Sequence, residues 1–297
     1  MKSFIYKTLL GIYRILPFKR AICIFLKKTG IPNNKFYKDL RFNGKFKVSG
    51  KKDFYLLNHG GSIENETFWK GLFVTWENDT GWIWQELCLF SDTILDIGAN
   101  TGIYSMVAKS LHPTSTVFAF EPSIHTFKKL QQNNEINQFD VKCEQIALSS
   151  EDGEHVFYDT HNSNQTSASL SAEMYKNRPE YNVDIFEYKV KTMTLANYIE
   201  ANKISKVDLI KLDIEMHEPE AVRGLGKYLL EHKPIVVIEV LSEKVAEELN
   251  ELIDPNQHQI FHLEDNNKAK LVDKFSPVPP LWNFLFFHND LIDQVKA

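Results

Sequence analysis

An alternation of short apolar strands with helices, which begins near Ser91, constrains the fold more than any other feature of the sequence. The apolar run TILDI is followed by a helical stretch from Gly102 to Leu111, which Pro113 ends. The order repeats with the strands TVFAFE, VDLIKLDI and PIVVIEV. Strands that are apolar along their whole length are typical of a parallel sheet with helices on both faces. The sequence therefore predicts an α/β domain with a doubly wound, mostly parallel sheet.

The segments between and after these strands complete the prediction. VKCEQIAL is expected to form the third strand, and EDGEHVFYD a hairpin edge with an Asp-Gly turn. A polar loop is expected at residues 160–172, and a single helix from Pro219 to about His232. The runs HQIFHL and LWNFLFFH are expected to complete the sheet.

The charge of the chain is distributed unevenly. Residues 1–50 contain twelve Lys or Arg residues and one acidic residue, Asp39, whereas the whole chain of 297 residues has a net charge of -5. This asymmetry predicts a basic amphipathic segment at residues 1–50 in front of an acidic body. Because nucleic-acid-binding proteins carry basic stripes, an acidic body argues against a nucleic-acid partner.

The first thirty residues place apolar side chains at helical spacing, and Pro17 ends this helix. One interpretation is a cationic amphipathic helix on an anionic membrane surface; the other is a helix whose apolar face packs on the main domain. A spanning helix is not expected, because the chain lacks a run of eighteen apolar residues. Lys7 and Arg14 interrupt the apolar region that a signal peptide would need. The apolar positions are Ile5, Leu9, Ile12 and Leu16.

Residues 51–90 are rich in aromatic side chains and are expected to form a cap, or a lead-in to the main domain at residues 91–297. Tryptophans here either belong to the core or form a flat platform against the apolar face of a sugar ring. Four of the five tryptophans of the chain lie in this segment: Trp69, Trp76, Trp82 and Trp84.

The turn after the first strand of the main domain has the composition of a nucleoside-cofactor site. In a doubly wound sheet, ligands bind beyond the carboxyl ends of the strands, where Asp96, Gly98 and Gly102 are expected to lie. Glu121 ends the second strand, where a carboxylate accepts hydrogen bonds from ribose hydroxyls. A dinucleotide site would have the spacing G-x-G-x-x-G and room for a pyrophosphate. Here the spacing is G-x-x-x-G beside an acid, which favours S-adenosylmethionine (SAM), a cofactor with cationic groups and no phosphate.

Five motifs together resemble the FkbM family of SAM-dependent methyltransferases: DTILDIGANTGIYS, FAFEP, IALS, SASL and KLDIEMHEPEAVRG. The resemblance covers residues 93–240, about half of the chain. It implies a class I methyltransferase (Rossmann-like) fold, here with an N-terminal helical and aromatic-rich extension. By the family pattern, the SAM-binding residues would be Asp96, Gly98, Asn100, Thr101 and Gly102 at the methionine part, Glu121, Pro122 and Ser123 at the ribose, and Ile146 and Ala147 at the adenine.

The acidic stretch KLDIEMHEPE is expected to form the acceptor side of the site. Asp213, at the end of the fourth strand, is the first candidate for positioning the acceptor or removing its proton, and Glu215 and Glu218 are the second. His217 is a further candidate, because an unperturbed histidine titrates near pH ~6.5. Glu218 has a structural alternative, since acids in a first helical turn meet the helix dipole favourably.

Three further expectations concern the same region. Glu239, which ends the fifth strand, is expected to face the acceptor pocket. Carboxylate oxygens suit Mg²⁺ or Ca²⁺, but no sequence rule fixes this spacing of acids, so no metal site is predicted. The family pattern after KLDIE has a glycine and a small residue where this chain has Met216 and His217. The departure is expected to restrict the backbone and to narrow the acceptor pocket.

The family resemblance implies O-methylation of a hydroxyl on a sugar, glycolipid or polysaccharide precursor. A small metabolite, lipid or protein acceptor is the alternative, as is a catalytically silent scaffold subunit with the same fold. Three widely spaced cysteines indicate reduced thiols in a cytosolic protein. The expected location is therefore the cytoplasm, with peripheral contact of residues 1–30 at the inner face of the membrane.

Overall fold

A computed structural model describes residues 2–30, 36–160, 168–171 and 185–293 of the chain. The predicted polar loop at residues 160–172 lies mostly outside this part. The described residues form the strands β1 (Asn43–Val48), β2 (Phe54–His59), β3 (Thr93–Ile97), β4 (Thr116–Phe120), β5 (Lys142–Glu144), β6 (Ala147–Leu148), β7 (Gly153–Thr160), β8 (Ile185–Met193), β9 (Leu209–Leu212), β10 (Ile235–Glu239), β11 (His258–Glu264), β12 (Lys268–Val272) and β13 (Asn283–His288). They form the helices α1 (Lys2–Ile15), α2 (Lys19–Lys28), α3 (Ser62–Lys70), α4 (Asn78–Leu87), α5 (Ile103–Leu111), α6 (Ile124–Asn137), α7 (Leu195–Ala201), α8 (Glu218–Leu225), α9 (Tyr228–Glu231) and α10 (Glu243–Leu252).

The main sheet has eight strands in the order β12-β11-β13-β10-β9-β3-β4-β5. The five strands from β10 to β5 are parallel, and β13 is antiparallel to both of its neighbours. The strand order reverses between β3 and β9, and such a switch point is where open α/β sheets bind ligands. The predicted α/β fold with a doubly wound, mostly parallel sheet is confirmed.

The core lies in two layers, one on each face of the sheet. Ile94 and Leu95 are adjacent in β3 and are both fully buried, but they belong to different layers because successive side chains of a strand point to opposite faces. Neighbouring strands behave in the same way, which explains why their sequences are apolar throughout.

The N-terminal part of the chain packs on one face of this sheet. β1 and β2 form a separate two-stranded sheet, so the predicted boundary between residues 50 and 51 falls in the turn of one hairpin. Two backbone N–H groups of β2 donate to the side chains of Asn133 and Asn137 on α6. On α1 and α2, Tyr13 and Cys23 are buried, and the Tyr13 hydroxyl donates to the Arg41 carbonyl at 2.7 Å. One face of the N-terminal helices therefore packs on the domain.

Several boundary predictions were wrong because strand pairing is decided by distant partners. VKCEQIAL is divided between β5, in the main sheet, and β6, which pairs with β8 in a three-stranded sheet. β7 pairs with β8 and not within a local hairpin.

The helix boundaries also differ from the prediction. The single helix predicted after Pro219 is interrupted at Gly226, whose φ of 56° ends α8. α10, β8 and β12 were not predicted.

Two further observations concern the described residues. None of their helices is both long and apolar enough to cross a bilayer. Cys23, Cys88 and Cys143 are free thiols, and the first two are buried.

Candidate active site

A cavity of about 200 Å³ lies beyond the carboxyl ends of β3, β4, β9 and β10. Glu121 follows β4, Asp213 follows β9 and Glu239 ends β10, and all three line the cavity. Since parallel strands end at the same edge of the sheet, the fold brings together carboxyl groups that are up to 118 positions apart in the sequence.

The loop after β3 is fixed by buried contacts. Asp96 is 1% exposed, and its carboxylate accepts a hydrogen bond from the Ser105 hydroxyl at 2.5 Å. Gly98 has a φ of 80°, and a Cβ atom there would lie 1.8 Å from the carbonyl oxygen of Asp213. Only glycine fits this close approach. Gly98 therefore joins the predicted cofactor loop directly to the predicted acceptor residue.

Glu121 is held by the backbone on both sides. Its carboxylate accepts N–H groups from Asn100 at 2.9 Å and from Ser123 at 2.8 Å. A carboxylate has about four acceptor positions, so lone pairs remain for two ribose hydroxyls. Burial raises the pKa of Glu121 to about 7 and that of Asp96 to about 6, although these hydrogen bonds oppose the change.

The ten predicted cofactor residues fall into two groups. Gly102 and Ser123 do not line the cavity: Gly102 begins α5, where a Cβ would lie 2.4 Å from a Leu130 methyl group, and Ser123 orients Glu121. The other eight line the cavity: Asp96, Gly98, Asn100, Thr101, Glu121, Pro122, Ile146 and Ala147.

The donor set of this half of the cavity fits SAM. Asp96 and Glu121 supply negative charge for an ammonium group and acceptors for ribose hydroxyls, and Ile146 supplies an apolar wall for adenine. A pyrophosphate would meet both carboxylates and no basic side chain at this loop among the described residues. The chemistry of the residues therefore matches a cationic nucleoside and not a dinucleotide.

Asp213 lines the cavity and is paired with a buried lysine. The Lys211 ammonium lies 3.0 Å from the Asp213 carboxylate and 3.8 Å from that of Glu77, and the side chain of Lys211 is 1% exposed. Burial alone would lower the pKa of Lys211. The electrostatic attraction of Asp213, Glu77 and Glu239 outweighs this effect and raises the pKa. Lys211 is thus a fixed positive charge under the acceptor side of the site.

The other acids of KLDIEMHEPE have different positions. Glu215 lines the cavity, but Glu218 does not. Glu218 is fully buried and accepts the Ile214 N–H at 3.0 Å, so it closes the turn that carries Glu215. Glu220 pairs with Arg223 on the surface of α8.

His217 lines the cavity but does not titrate near pH ~6.5, the unperturbed value. Burial lowers the pKa of its imidazole to about 4, so the ring is neutral at physiological pH. Its Nε2 atom is 3.0 Å from the Ser149 hydroxyl. The expectation of a conveniently titrating base was wrong, because a sequence does not report the burial of a side chain.

The Met216 position retains the backbone conformation that a glycine would adopt. Met216 has a φ of 74° and Glu215 a φ of 57°, both in the left-handed region. Such a conformation costs an L-residue about 1–2 kcal/mol. Met216 packs against one of the two core layers and does not line the cavity, so it does not narrow the pocket as expected.

Sequence reasoning missed several residues of the cavity wall. Trp76, Glu77 and Tyr104 come from the N-terminal part or from α5, and Phe157 and Asp159 come from β7. The sequence singled out Trp76 only as one of four tryptophans that either belong to the core or form a sugar platform, and it gave no signal for Glu77. β7 was expected at the edge of a hairpin and not beside the cavity.

The SASL motif belongs to the same wall. The buried Ser169 hydroxyl donates to the Glu215 carbonyl at 2.6 Å, and Ala168 and Leu170 line the cavity. Within the described ranges, no group of three or more His, Cys, Asp or Glu side chains is arranged to hold a metal ion.

The fold and the site define the class of protein: an α/β domain with a cavity for a cationic nucleoside beside an acidic acceptor region, the arrangement of a SAM-dependent methyltransferase. The chain belongs to the FkbM methyltransferase family, since the model of the methyltransferase FkbM domain matches residues 96–263, more than half of its length. The predicted family, the methyltransferase class and SAM as the methyl donor are therefore confirmed for this domain.

Two curated relatives match about half of the chain or more. Methyltransferase 1 of Beauveria bassiana is 29% identical over 162 residues, which are 51% of this chain and 65% of that protein. The hexuronic acid methyltransferase AglP of Haloferax volcanii is 25% identical over 175 residues, 59% of this chain and 66% of that protein. The chain thus spans just under two thirds of each relative. The crystal structure of methyltransferase FkbM from Methylobacillus flagellatus covers 67% of this chain and 43% of its own, with 15% identity and a TM-score of 0.40.

Proposed function

We propose that this protein is an O-methyltransferase that transfers a methyl group from SAM to a hydroxyl of a sugar, glycolipid or polysaccharide precursor. The observation that carries the proposal is the contact between the two halves of the cavity. Gly98, in the cofactor loop, approaches the Asp213 backbone so closely that a Cβ would not fit, and the Asp213 side chain lines the same cavity. SAM and the acceptor would therefore be held next to each other.

The chain's own residues would divide the work as follows. Asp96 and Asn100 would hold the methionine part of SAM, Glu121 its ribose, and Ile146 and Ala147 its adenine. When bound, SAM supplies an electrophilic methyl group on a positively charged sulfur.

Asp213 is the group placed to take the proton of the acceptor hydroxyl. Its carboxylate already accepts from the Lys211 ammonium at 3.0 Å, which fixes its orientation. The second carboxylate oxygen remains for the acceptor. A positioned base of this kind contributes roughly 100-fold or more to a rate. Glu215 lines the cavity and is the secondary candidate, whereas Glu218 serves the turn.

Two observations support a glycan acceptor. The relative AglP is named a hexuronic acid methyltransferase, and this chain is 25% identical to it. The partly buried Trp76 lines the cavity, where a flat ring could pack on a sugar. A small-metabolite, lipid or protein acceptor is the second candidate.

We further propose a cytoplasmic location with peripheral contact at the inner face of the membrane. Opposite to Tyr13 and Cys23, the helices α1 and α2 and the turn between them expose large apolar side chains beside basic ones, as an interfacial helix does. Ile15 and Phe18 are each 82% exposed, and Phe25 is 64% exposed.

A test of the proposed function measures both methyl transfer and cofactor affinity. Glycan from a strain that lacks the gene is incubated with the protein and methyl-labelled SAM, and alkali-stable label is counted to distinguish methyl ethers from esters. We expect label in glycan, and Asp213→Asn to lower turnover by roughly 100-fold with SAM affinity within twofold of the original. Glu220→Gln, in the same segment but on the surface, is the matched control. SAM binding without transfer to glycan, or full turnover in Asp213→Asn, would contradict the proposal.

A further inference from the structure

The cavity extends beyond the predicted cofactor residues into a region built by the N-terminal part of the chain. Trp76 and Glu77 come from the turn before α4, and they meet Tyr104 of α5 and Lys211 of β9 there. None of these four residues is needed for the cofactor half described above, so this region is free to receive the acceptor.

Glu77 is fixed in place by two partners. The Tyr104 hydroxyl donates to its Oε2 atom, and the Lys211 ammonium lies 3.8 Å from the same oxygen. Its backbone has a φ of 47°, a left-handed conformation that costs a non-glycine residue about 1–2 kcal/mol. Such conformations persist where the surrounding structure determines them, and they cluster at ligand sites. Glu77 also lines the cavity, so its carboxyl group is within reach of an acceptor bound there.

Trp76 supplies a flat wall beside this carboxylate. Its ring stacks on Phe73 with centroids 5.9 Å apart and meets the edge of Tyr104 at 5.9 Å, so two rings fix its orientation. Trp76 is partly exposed and lines the cavity, whereas Trp84 is fully buried in the core. An aromatic face next to a hydrogen-bonding carboxyl group suits a sugar ring, which has an apolar face and a rim of hydroxyls.

The charge of the cavity restricts which sugar fits. Among the described lining residues, Lys211 is the one lysine or arginine, and it is already shared between Asp213 and Glu77. His217 is neutral at physiological pH. The same cavity is lined by seven carboxyl groups: Glu77, Asp96, Glu121, Asp159, Asp213, Glu215 and Glu239.

The surroundings of this region already suppress the ionisation of two of its own carboxyl groups, Glu77 and Glu239. Burial raises the pKa of Glu77 to about 8, and burial with the neighbouring Asp213 and Glu215 raises the pKa of Glu239 well above its ordinary value. A cavity that protonates its own carboxyl groups has no counter-charge for another anion. The carboxylate of a bound uronate would meet the same burial, and Lys211 is already paired, so its ionised form is disfavoured in this region.

We propose that Trp76 and Glu77 form the acceptor subsite, and that this subsite takes an uncharged sugar and rejects a hexuronate. The proposal rests on the proposed O-methyltransferase function and narrows it. It separates this chain from its relative AglP, whose name gives a hexuronic acid as the acceptor. Trp76 packs on the sugar ring, Glu77 hydrogen-bonds its hydroxyls, and Asp213 receives the proton of the hydroxyl that is methylated.

The test compares matched acceptors. Glycan from the gene-deletion strain is separated by anion exchange into a neutral pool and a uronate-bearing pool, and part of the uronate pool is carboxyl-reduced to the neutral sugars. Each pool is incubated with labelled SAM, and the methylated sugar is identified by hydrolysis and mass spectrometry. We expect methylated neutral sugar, and a kcat/KM for uronate at least roughly 100-fold lower that carboxyl reduction restores.

Variants of Glu77 and Trp76 test whether acceptor recognition depends on this subsite. Glu77→Gln keeps the shape of the side chain but replaces a carboxyl oxygen that hydrogen-bonds the sugar hydroxyls, so we expect it to raise the KM for the neutral sugar by at least about tenfold. Trp76→Ala should raise KM by about tenfold or more with SAM affinity unchanged. Glu86→Gln, exposed in α4 and paired with Lys51, is the matched control. Melting curves and SAM affinity verify that each variant is folded.

The outcomes are distinguishable. A methylated uronate as the main product, or Glu77→Gln and Trp76→Ala variants that behave like the control, would overturn the subsite and leave the methyltransferase function standing. No label in any pool, despite SAM binding, would instead contradict the proposed glycan acceptor itself.

Discussion

Asp213 and Glu218 are five positions apart, yet the fold gives them opposite surroundings. Asp213 opens to the cavity beside Lys211, whereas Glu218 is fully buried and holds the Ile214 N–H. The distinction separates chemistry from support, because a buried acid that closes a turn acts through the backbone and not on a substrate. A pH-dependent stability measurement can detect the difference.

Glu218→Gln should change stability with pH and leave catalysis unchanged. Burial raises the pKa of Glu218 from its ordinary 4.5 to about 7. Between these values the folded protein binds more protons than the unfolded chain, so the contribution of Glu218 to the free energy of unfolding is full below pH 4.5 and is lost as the pH rises through 7. Glutamine keeps an oxygen that accepts the Ile214 N–H, and it stays uncharged at every pH. We expect the variant to be more stable by about 3 kcal/mol at pH ~8 and equal at pH ~4.

Urea unfolding at a series of pH values measures this effect. A Glu218→Gln variant whose stability parallels the original protein at every pH would refute the buried-acid account. A loss of turnover by roughly 100-fold with unchanged stability would instead return Glu218 to the catalytic candidates.

At the scale of elements, α1 and α2 form a unit with two different faces. Tyr13 and Cys23 attach one face to the domain. Ile15 and Phe25 are exposed on the other face, and Phe18 is exposed in the turn between the helices. The surrounding residues are basic, and the chain has no acid before Asp39. Basic residues near an anionic lipid surface each contribute roughly 1 kcal/mol, and buried apolar side chains add to this.

Vesicle flotation with the full chain tests this interface. We expect the protein to float with vesicles that contain phosphatidylglycerol, to float less in high salt, and not to float with pure phosphatidylcholine. Phe18→Asp should lower the floating fraction by about tenfold, because a charge replaces an inserted apolar side chain. Phe90→Asp, at an equally exposed site (79%) far along the chain, is the control. Equal flotation of both variants, or none by the original protein, would exclude the interface.

At the scale of the whole molecule, the features that depend on local sequence pattern could be predicted from the sequence. The parallel strands β3, β4, β9 and β10 were predictable because their continuous apolar character follows from burial on both faces, as Ile94 and Leu95 illustrate. Asp96 and Glu121 were predicted to reach the cavity because strand ends share one edge of the sheet. Family motifs added Ser169, whose contact with Glu215 no spacing would indicate.

The remaining features depend on contacts between distant segments. Glu77 and Lys211 are 134 positions apart, and nothing local in either segment indicates that they meet. The division between β5 and β6 depends on pairing with β8, about forty residues later. The low pKa of His217 depends on burial, which neighbouring residues in the sequence do not determine.

Isothermal titration of the full chain with SAM tests the central claim most directly, because family, fold and site all converge on this cofactor. We expect saturable binding at one site, weakened tenfold or more by Asp96→Asn and by Glu121→Gln, with melting curves that verify folding. Both variants remove a carboxylate from the cofactor half and keep its shape. Absence of binding by the original chain, or unchanged affinity in both variants, would contradict the account.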